Sequence, residues 1–231
     1  MGRDNHPRMR QAENLKRKKA SKKPGQRFLI VCEGEKTEPI YLEDVKRALR
    51  LPSAKIEITQ CLKGTAPIQI VAYAEKLFVE GDSRRRIPAR EWDHVYAVFD
   101  RDAHQSYFNA LSKITSLHNQ RMRNDEKRVV PFTAICSVPN VELWFLLHFH
   151  DQLAPLNRDA ALKALKKFLP KYEKGMGGVY DATYRSLPLA IRRARRLRDA
   201  GYNAYNIGLS SDMGKLLFAL RSEYKRMKGK R

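Results

Sequence analysis

Three glutamates, Glu33, Glu35 and Glu38, fall within six positions directly after the apolar run Phe28-Leu29-Ile30-Val31-Cys32. A second acidic pair, Asp100 and Asp102, brackets Arg101 after "HVYAVF", and Glu142 opens the run "ELWFLLHF". Convergent carboxylates repel one another, and without a counter-charge each is driven towards its protonated form. A divalent cation resolves that conflict, and Mg²⁺ typically takes one or two carboxylates plus waters and substrate phosphate oxygens. A cation so held activates water and stabilises the leaving oxygen of a phosphodiester. Alone, Asp-Arg-Asp admits a plainer reading, in which Asp100 caps a helix beginning near His104. Lys36 and Arg101 stand beside these acids and are candidates for phosphate contacts by charge and position.

Such groups need elements to bring them together. The apolar runs predict strands at 28–32, 55–60, 94–100 and 131–137, and helices at about 37–49, 67–80 and 104–120. Thr37 is the expected N-cap of the first helix, with Glu38 in its first turn and Ile40, Leu42, Val45 and Leu49 on its buried face. Strands alternating with helices predict an α/β fold, a mostly parallel sheet flanked by helices. In such sheets functional groups gather at the carboxyl ends of the strands, where Glu33, Asp100, Asp102 and Glu142 all fall. "NVELWFLLHFH" is too apolar for a surface helix and is expected against the sheet's flank. Residues 151–231 read as a basic helical extension docked on that core, with a Gly-rich break at "EKGMGG".

The acids stand in a strongly basic chain. Its 231 residues carry 46 Lys and Arg against 25 Asp and Glu, a formal charge of +21, which favours polyanionic partners. Residues 1–27 hold ten Lys/Arg and almost no large apolar side chain, so they are expected to form an unfolded basic arm, either solvated or nucleic-acid-binding. Arg192, Arg193, Arg195, Arg196 and Arg198 crowd one helical segment, where Leu189, Ala190, Ala194 and Leu197 can form the docking stripe. The arginines are either a solvated face or a phosphate-binding track, for which the planar guanidinium is suited. Arg84-Arg85-Arg86 and the C-terminal "YKRMKGKR" are further basic patches. Tyr180, Tyr184, Tyr202 and Tyr205 are placed to stack on unpaired bases or to pack in the core.

Other chemistries have less support. Cys32, Cys61 and Cys136 show no paired spacing, which predicts free thiols and a reducing, cytoplasmic compartment. None of the six histidines has zinc spacing, although His104 lies close enough to Asp102 to support it. No apolar run reaches the roughly 18–20 residues that span a bilayer. The N-terminus lacks the apolar segment of a secretory signal. No GxxxxGK[ST] motif occurs, so a nucleotide-driven step would come from another chain.

Taken in order, "LIVCEGEKTEPIYL", "VYAVFDRDAH" and "SVPNVELWFLLHF" resemble the RloB family, related to AbiLii proteins of abortive phage infection. More broadly, a glutamate after the first strand and a DxD after a later one resemble the TOPRIM pattern of topoisomerases, primases and OLD-type nucleases. Pro139-Asn140 stands where the family usually has Asn-Pro, and "YNIGLSSDMGKLL" where it tends to have Asn-Pro-Ser-Thr. The resemblance implies a TOPRIM-like core over 28–150 and a metal-dependent nuclease of DNA or RNA in antiphage defence, working beside an AAA-type ATPase. It makes Glu33 the general acid/base near the metal and Asp100 and Asp102 the pair that holds Mg²⁺ or Mn²⁺. Glu38 and Glu142 would contribute to a second metal position. A non-catalytic nucleic-acid-binding subunit of a defence complex is the alternative, while primase or topoisomerase activity would require domains for which the chain has no room. The oligomeric state stays open, a homo-oligomer included.

Overall fold

A computed structural model describes residues 25–101, 105–200 and 209–229. Asp102, His104, Tyr202, Tyr205 and the first 24 residues of the expected basic arm lie outside them. Four strands, β1 (Phe28–Cys32), β2 (Ile56–Gln60), β3 (His94–Asp100) and β4 (Phe132–Val138), run parallel, and the short β5 (Ser210–Ser211) is antiparallel to β4. Their order is β2-β1-β3-β4-β5. The sheet is flanked by helices on both faces, an α/β fold of the kind the alternating pattern predicts.

β1 is buried at all five positions because it is central and its faces are both covered. Its odd and even residues serve two separate cores. Leu29 and Val31 pack with α2 (Pro67–Glu80) and α3 (Tyr107–Asn119), among Ile70, Phe78, Leu111 and Phe132. Phe28, Ile30 and Cys32 point the other way, towards α1 (Thr37–Ala48), α4 (Val141–Leu146), α5 (Arg158–Lys166), α6 (Val179–Thr183), α7 (Leu187–Asp199) and α8 (Met213–Lys228). Leu165, Leu187, Leu197 and Leu216 of the C-terminal helices share that core with Trp144 and Tyr41. The extension therefore completes the layer covering this face of the sheet.

Local details differ from the sequence pattern in instructive ways. Thr37 is the first helical residue of α1 and Lys36 the cap, with no side-chain cap hydrogen bond. Glu38, in the first turn, is buried. On α7 the buried stripe is Leu187, Ala190, Ala194 and Leu197, whereas Leu189 is exposed. Those four recur at helical spacing, while Leu189 sits ~100° round the wheel from Ala190, off that stripe. Cys32 and Cys136 are buried, Cys61 is half-buried, and all three are free thiols. Among the described residues no helix is long and apolar enough to cross a membrane.

Candidate functional site

The winding direction of the sheet reverses between β1 and β3: from β1 the chain goes out to β2, then returns to β3 on the other side. Ligands of open α/β sheets bind outside the strand ends at such a point. The two residues that leave it are Glu33 and Asp100. The Glu33 N–H continues the ladder by donating to the Val98 carbonyl at 2.9 Å. Its side chain then turns across β3, and Oε2 accepts the Asp100 N–H at 3.0 Å. Asp100 is nearly buried, and its Oδ2 accepts the N–H of Val141, the first residue of α4, at 3.3 Å. On the plainer reading of Asp-Arg-Asp, Asp100 caps α3, but α3 begins only at Tyr107 and the Asp100 carboxylate accepts from the first residue of α4 instead. A single chain of contacts thus joins the ends of β1 and β3 to α4.

α4 carries Glu142 into the same place, 1 % exposed. The Tyr172 hydroxyl donates to Glu142 Oε1 at 3.2 Å, and Lys174 Nζ lies 3.8 Å from the same oxygen. Glu38 is buried at the start of α1, close enough to Gly34 that any side chain there would press on its carboxylate. Burial pushes the Glu38 carboxyl up to about 7, the charges of Glu33 and Glu142 add to the rise, and Lys174 opposes it. Burial likewise raises the Tyr172 phenol, with Glu142, Glu38 and Asp100 contributing. Glu33, Glu38, Asp100 and Glu142 therefore act on shared neighbours in one site. Glu35, by contrast, is exposed.

Tyr172 and Lys174 belong to the segment 171–178, which the sequence shows only as a Gly-rich break. Two contacts on α1 fix it. Gly175, at φ +80°, lies so close to Lys36 that a Cβ would stand 2.7 Å from the lysine Cβ. The Gly178 N–H donates to the buried Asp44 at 2.7 Å. The glycines are what let the strap hug α1 and deliver a phenol and an ammonium to the acids. Nothing local in the sequence marks Tyr172.

Further buried polar groups border Asp100. The Asn140 side-chain amide and the hydroxyls of Ser210 and Ser211 are buried and have no hydrogen-bond partner among the described residues. β5 places the serines opposite Val138 and Ser137, at the end of β4, and Asn140 precedes the N–H that Asp100 accepts. Unpartnered polar atoms at this depth are uncommon outside sites that bind something.

Among the described residues no three His, Cys, Asp or Glu side chains are arranged to hold a metal ion; Asp102, the other half of the acidic pair, lies outside them. The donor chemistry nevertheless suits a hard cation. All the groups are carboxylate oxygens, their mutual repulsion is expressed in Glu38, and Mg²⁺ needs only one or two of them beside water and phosphate.

The candidate phosphate contacts separate. Lys36 is exposed at the head of α1. The Arg101 guanidinium lies over the rings of Tyr107 and Phe108, 5.7 and 5.5 Å from their centroids, a placement that holds it at the end of β3. On α7, Arg193 donates to the Leu147 carbonyl at 2.8 Å, closing the end of α4, and Arg196 pairs with Asp151. Arg192 and Arg195 are exposed, and Arg198 is half-buried. The five arginines are thus divided between structure and surface. Tyr180 is buried against Tyr41, while Tyr184 is half exposed and stacks with Arg185.

Compared with known proteins, residues 28–220 match the model of a family described as RloB-like protein. No curated protein and no solved structure matches.

Proposed function

The chain belongs to the RloB-like protein family, and from that premise and the acidic cluster we propose that it is a metal-dependent nuclease acting on DNA or RNA in antiphage defence, with an ATPase partner. The observation that carries the reading is the linked pair Glu33 and Asp100 at the β1/β3 switch point of a chain with a charge of +21. A protein that only attracted phosphate would gain nothing from four carboxylates facing it.

Glu33, Asp100 and Asp102 would hold Mg²⁺ or Mn²⁺, with Glu38 and Glu142 beside them. When bound, such a cation supplies Lewis acidity and a more acidic water. The chain's own part is to place and poise the carboxylates. The Asp100 N–H orients Glu33, the carboxylate that would take a proton from the attacking water. The Val141 N–H holds Asp100 in its rotamer. Tyr172 and Lys174 hold Glu142 in place in a buried setting, supplying a donor and a nearby positive charge. Arg192, Arg195 and Lys36 provide exposed positive charge for the phosphate backbone.

Incubation of plasmid, single-stranded DNA and cellular RNA, tRNA included, with the protein and Mn²⁺ tests this. Cleavage is expected, falling by about 10²-fold or more in Glu33→Gln and Asp100→Ala, as for loss of a proton-transfer or metal-holding group. Cleavage at wild-type rates in both variants sinks the assignment. Tight, salt-sensitive binding without cleavage of any substrate would instead make the protein a binding subunit.

A further inference from the structure

A cavity of about 370 Å³ opens between the end of α4 and α5, with Leu146, His150, Leu156, Lys163, Lys167 and Phe168 among its walls. That volume falls in the range of small-ligand pockets, which are mostly apolar with a few polar groups fixing orientation. Lys163 and Lys167 stand one turn apart on its rim, both exposed, and neither has an acidic partner among the described residues, whereas Lys166 is paired with Glu173. Phe168 is 43 % exposed, although its ring stacks on Phe149 (centroids 5.4 Å apart, planes 7° apart) and near His150 at 6.2 Å. An exposed aromatic held by a second ring has already lost its rotamer freedom, so little more is lost when a flat ligand joins the stack.

The cavity and the acidic cluster share α4. Leu146 stands four positions after Glu142 on α4, on the same face and about 6 Å further along the axis. Phe168 stands four positions before Tyr172, which bonds Glu142. Cavity and cluster are thus neighbouring stretches of one interface between α4 and the segment leading from α5 to the strap. Apolar walls, stacked rings and two exposed lysines with no acidic partner among the described residues, near carboxylates suited to a phosphodiester, match a nucleotide better than an apolar peptide.

We propose that this cavity binds an unpaired nucleobase of a single-stranded nucleic acid, with Phe168 as the stacking platform and Lys163 and Lys167 on the adjoining phosphates. The nuclease reading enters only in placing the scissile bond at the acidic cluster, since base capture is a binding event that needs no cleavage. The site selects for unpaired strands, because a base within a duplex is not available to it.

Fluorescence anisotropy of the full chain in EDTA, with short labelled single-stranded RNA and DNA, reads the site directly. Phe168→Ala should weaken binding about tenfold, within the range for loss of one base–aromatic stack, and Phe168→Trp should restore it. An oligonucleotide scanned with single abasic positions should show one position that matters to wild type and not to Phe168→Ala. Lys163→Gln with Lys167→Gln should flatten the slope of log affinity against log salt by about 0.7 for each phosphate lost. Equal losses for intact and abasic oligonucleotides, or unchanged binding in Phe168→Ala, would overturn the proposal even if the protein cleaves. If those effects appear but nothing is cleaved under any metal, the base site stands and the nuclease reading falls. Preference between the RNA and DNA arms identifies the sugar that the site accepts.

Discussion

The backbone N–H of Asp100 is bonded to the carboxylate of Glu33, 67 positions earlier in the chain, at 3.0 Å. Neither residue is placed by its own loop. Parallel pairing puts Cys32 opposite Val98, so β1 ends where β3 has two positions still to run. The carboxylate spans that offset. Register in the sheet thereby sets the geometry of the acidic site, and a slip of one residue would turn Glu33 to the opposite face.

Tyr172 and Lys174 should act through Glu142. Tyr172→Phe leaves a buried carboxylate oxygen short of a donor, costing about 1–3 kcal/mol. For a chain of this size that is a fall in Tm of roughly 2–10 °C, read by thermal unfolding. Lys174→Met removes the cation opposing proton uptake by Glu38. Its cleavage pH profile should move towards higher pH, and an unmoved profile would show that Lys174 does not poise the site.

Asn140→Leu separates a structural role from a site role. Its amide is fully buried without a partner among the described residues, so an apolar replacement of similar shape should leave Tm unchanged or higher. Cleavage should nonetheless fall, by about 10²-fold if the amide serves as a donor to the reacting phosphate. A large drop in Tm would instead mean that the side chain holds the turn before α4.

Glu38 and His148 should pull stability in opposite directions over one pH range. Glu38 is held at about 7 rather than 4.5, so the folded state binds the extra proton and this contribution is lost as pH rises through that window. His148 is buried against Trp144 and pushed down to about 4 from 6.5, so its contribution is lost as pH falls. Each full shift corresponds to roughly 3 kcal/mol. Glu57 and His94 move in the same two directions. In EDTA, Glu38→Gln should therefore gain stability relative to wild type as pH rises from about 4.5 to 7, whereas His148→Leu should lose it relative to wild type as pH rises between about 4 and 6.5. Parallel Tm–pH curves for the two variants would rule out the assignment.

The arginines of α7 should split by function. Arg193→Met removes the donor to the Leu147 carbonyl and should lower Tm by a few °C, about 1 kcal/mol or somewhat more. Arg192→Gln with Arg195→Gln should leave Tm in place while reducing the salt dependence of nucleic-acid binding by about one unit or more. Loss of binding in the Arg193 variant alone, with none in the exposed pair, would move the interface elsewhere.

Much of this molecule is legible residue by residue. Phe28–Cys32 and His94–Asp100 are runs whose apolar character only a central strand can satisfy, and both strands occupy the ranges that the pattern predicts. The positions of Glu33 and Asp100 follow, because a charged residue after a buried strand marks where the strand leaves the core. Burial of "VELWFL" follows from its composition in the same way. These are local properties, expressed through periodicity and the cost of burying charge.

Other features depended on packing between distant segments. Thr37 and Leu189 have the residue types of a cap and a stripe, yet Lys36 and Leu187 take those places. Tyr172 reaches Glu142 across 30 positions, and Arg193 reaches Leu147 across 46. Which tyrosine or arginine makes such a bond is set by how α4, α7 and the strap stack against the sheet, and side-chain type carries no trace of it. The sequence by itself determined which strands exist and which carboxylates end them. Tertiary structure decided their partners, because hydrogen bonds and charge pairing act over a few ångströms, whatever the separation along the chain.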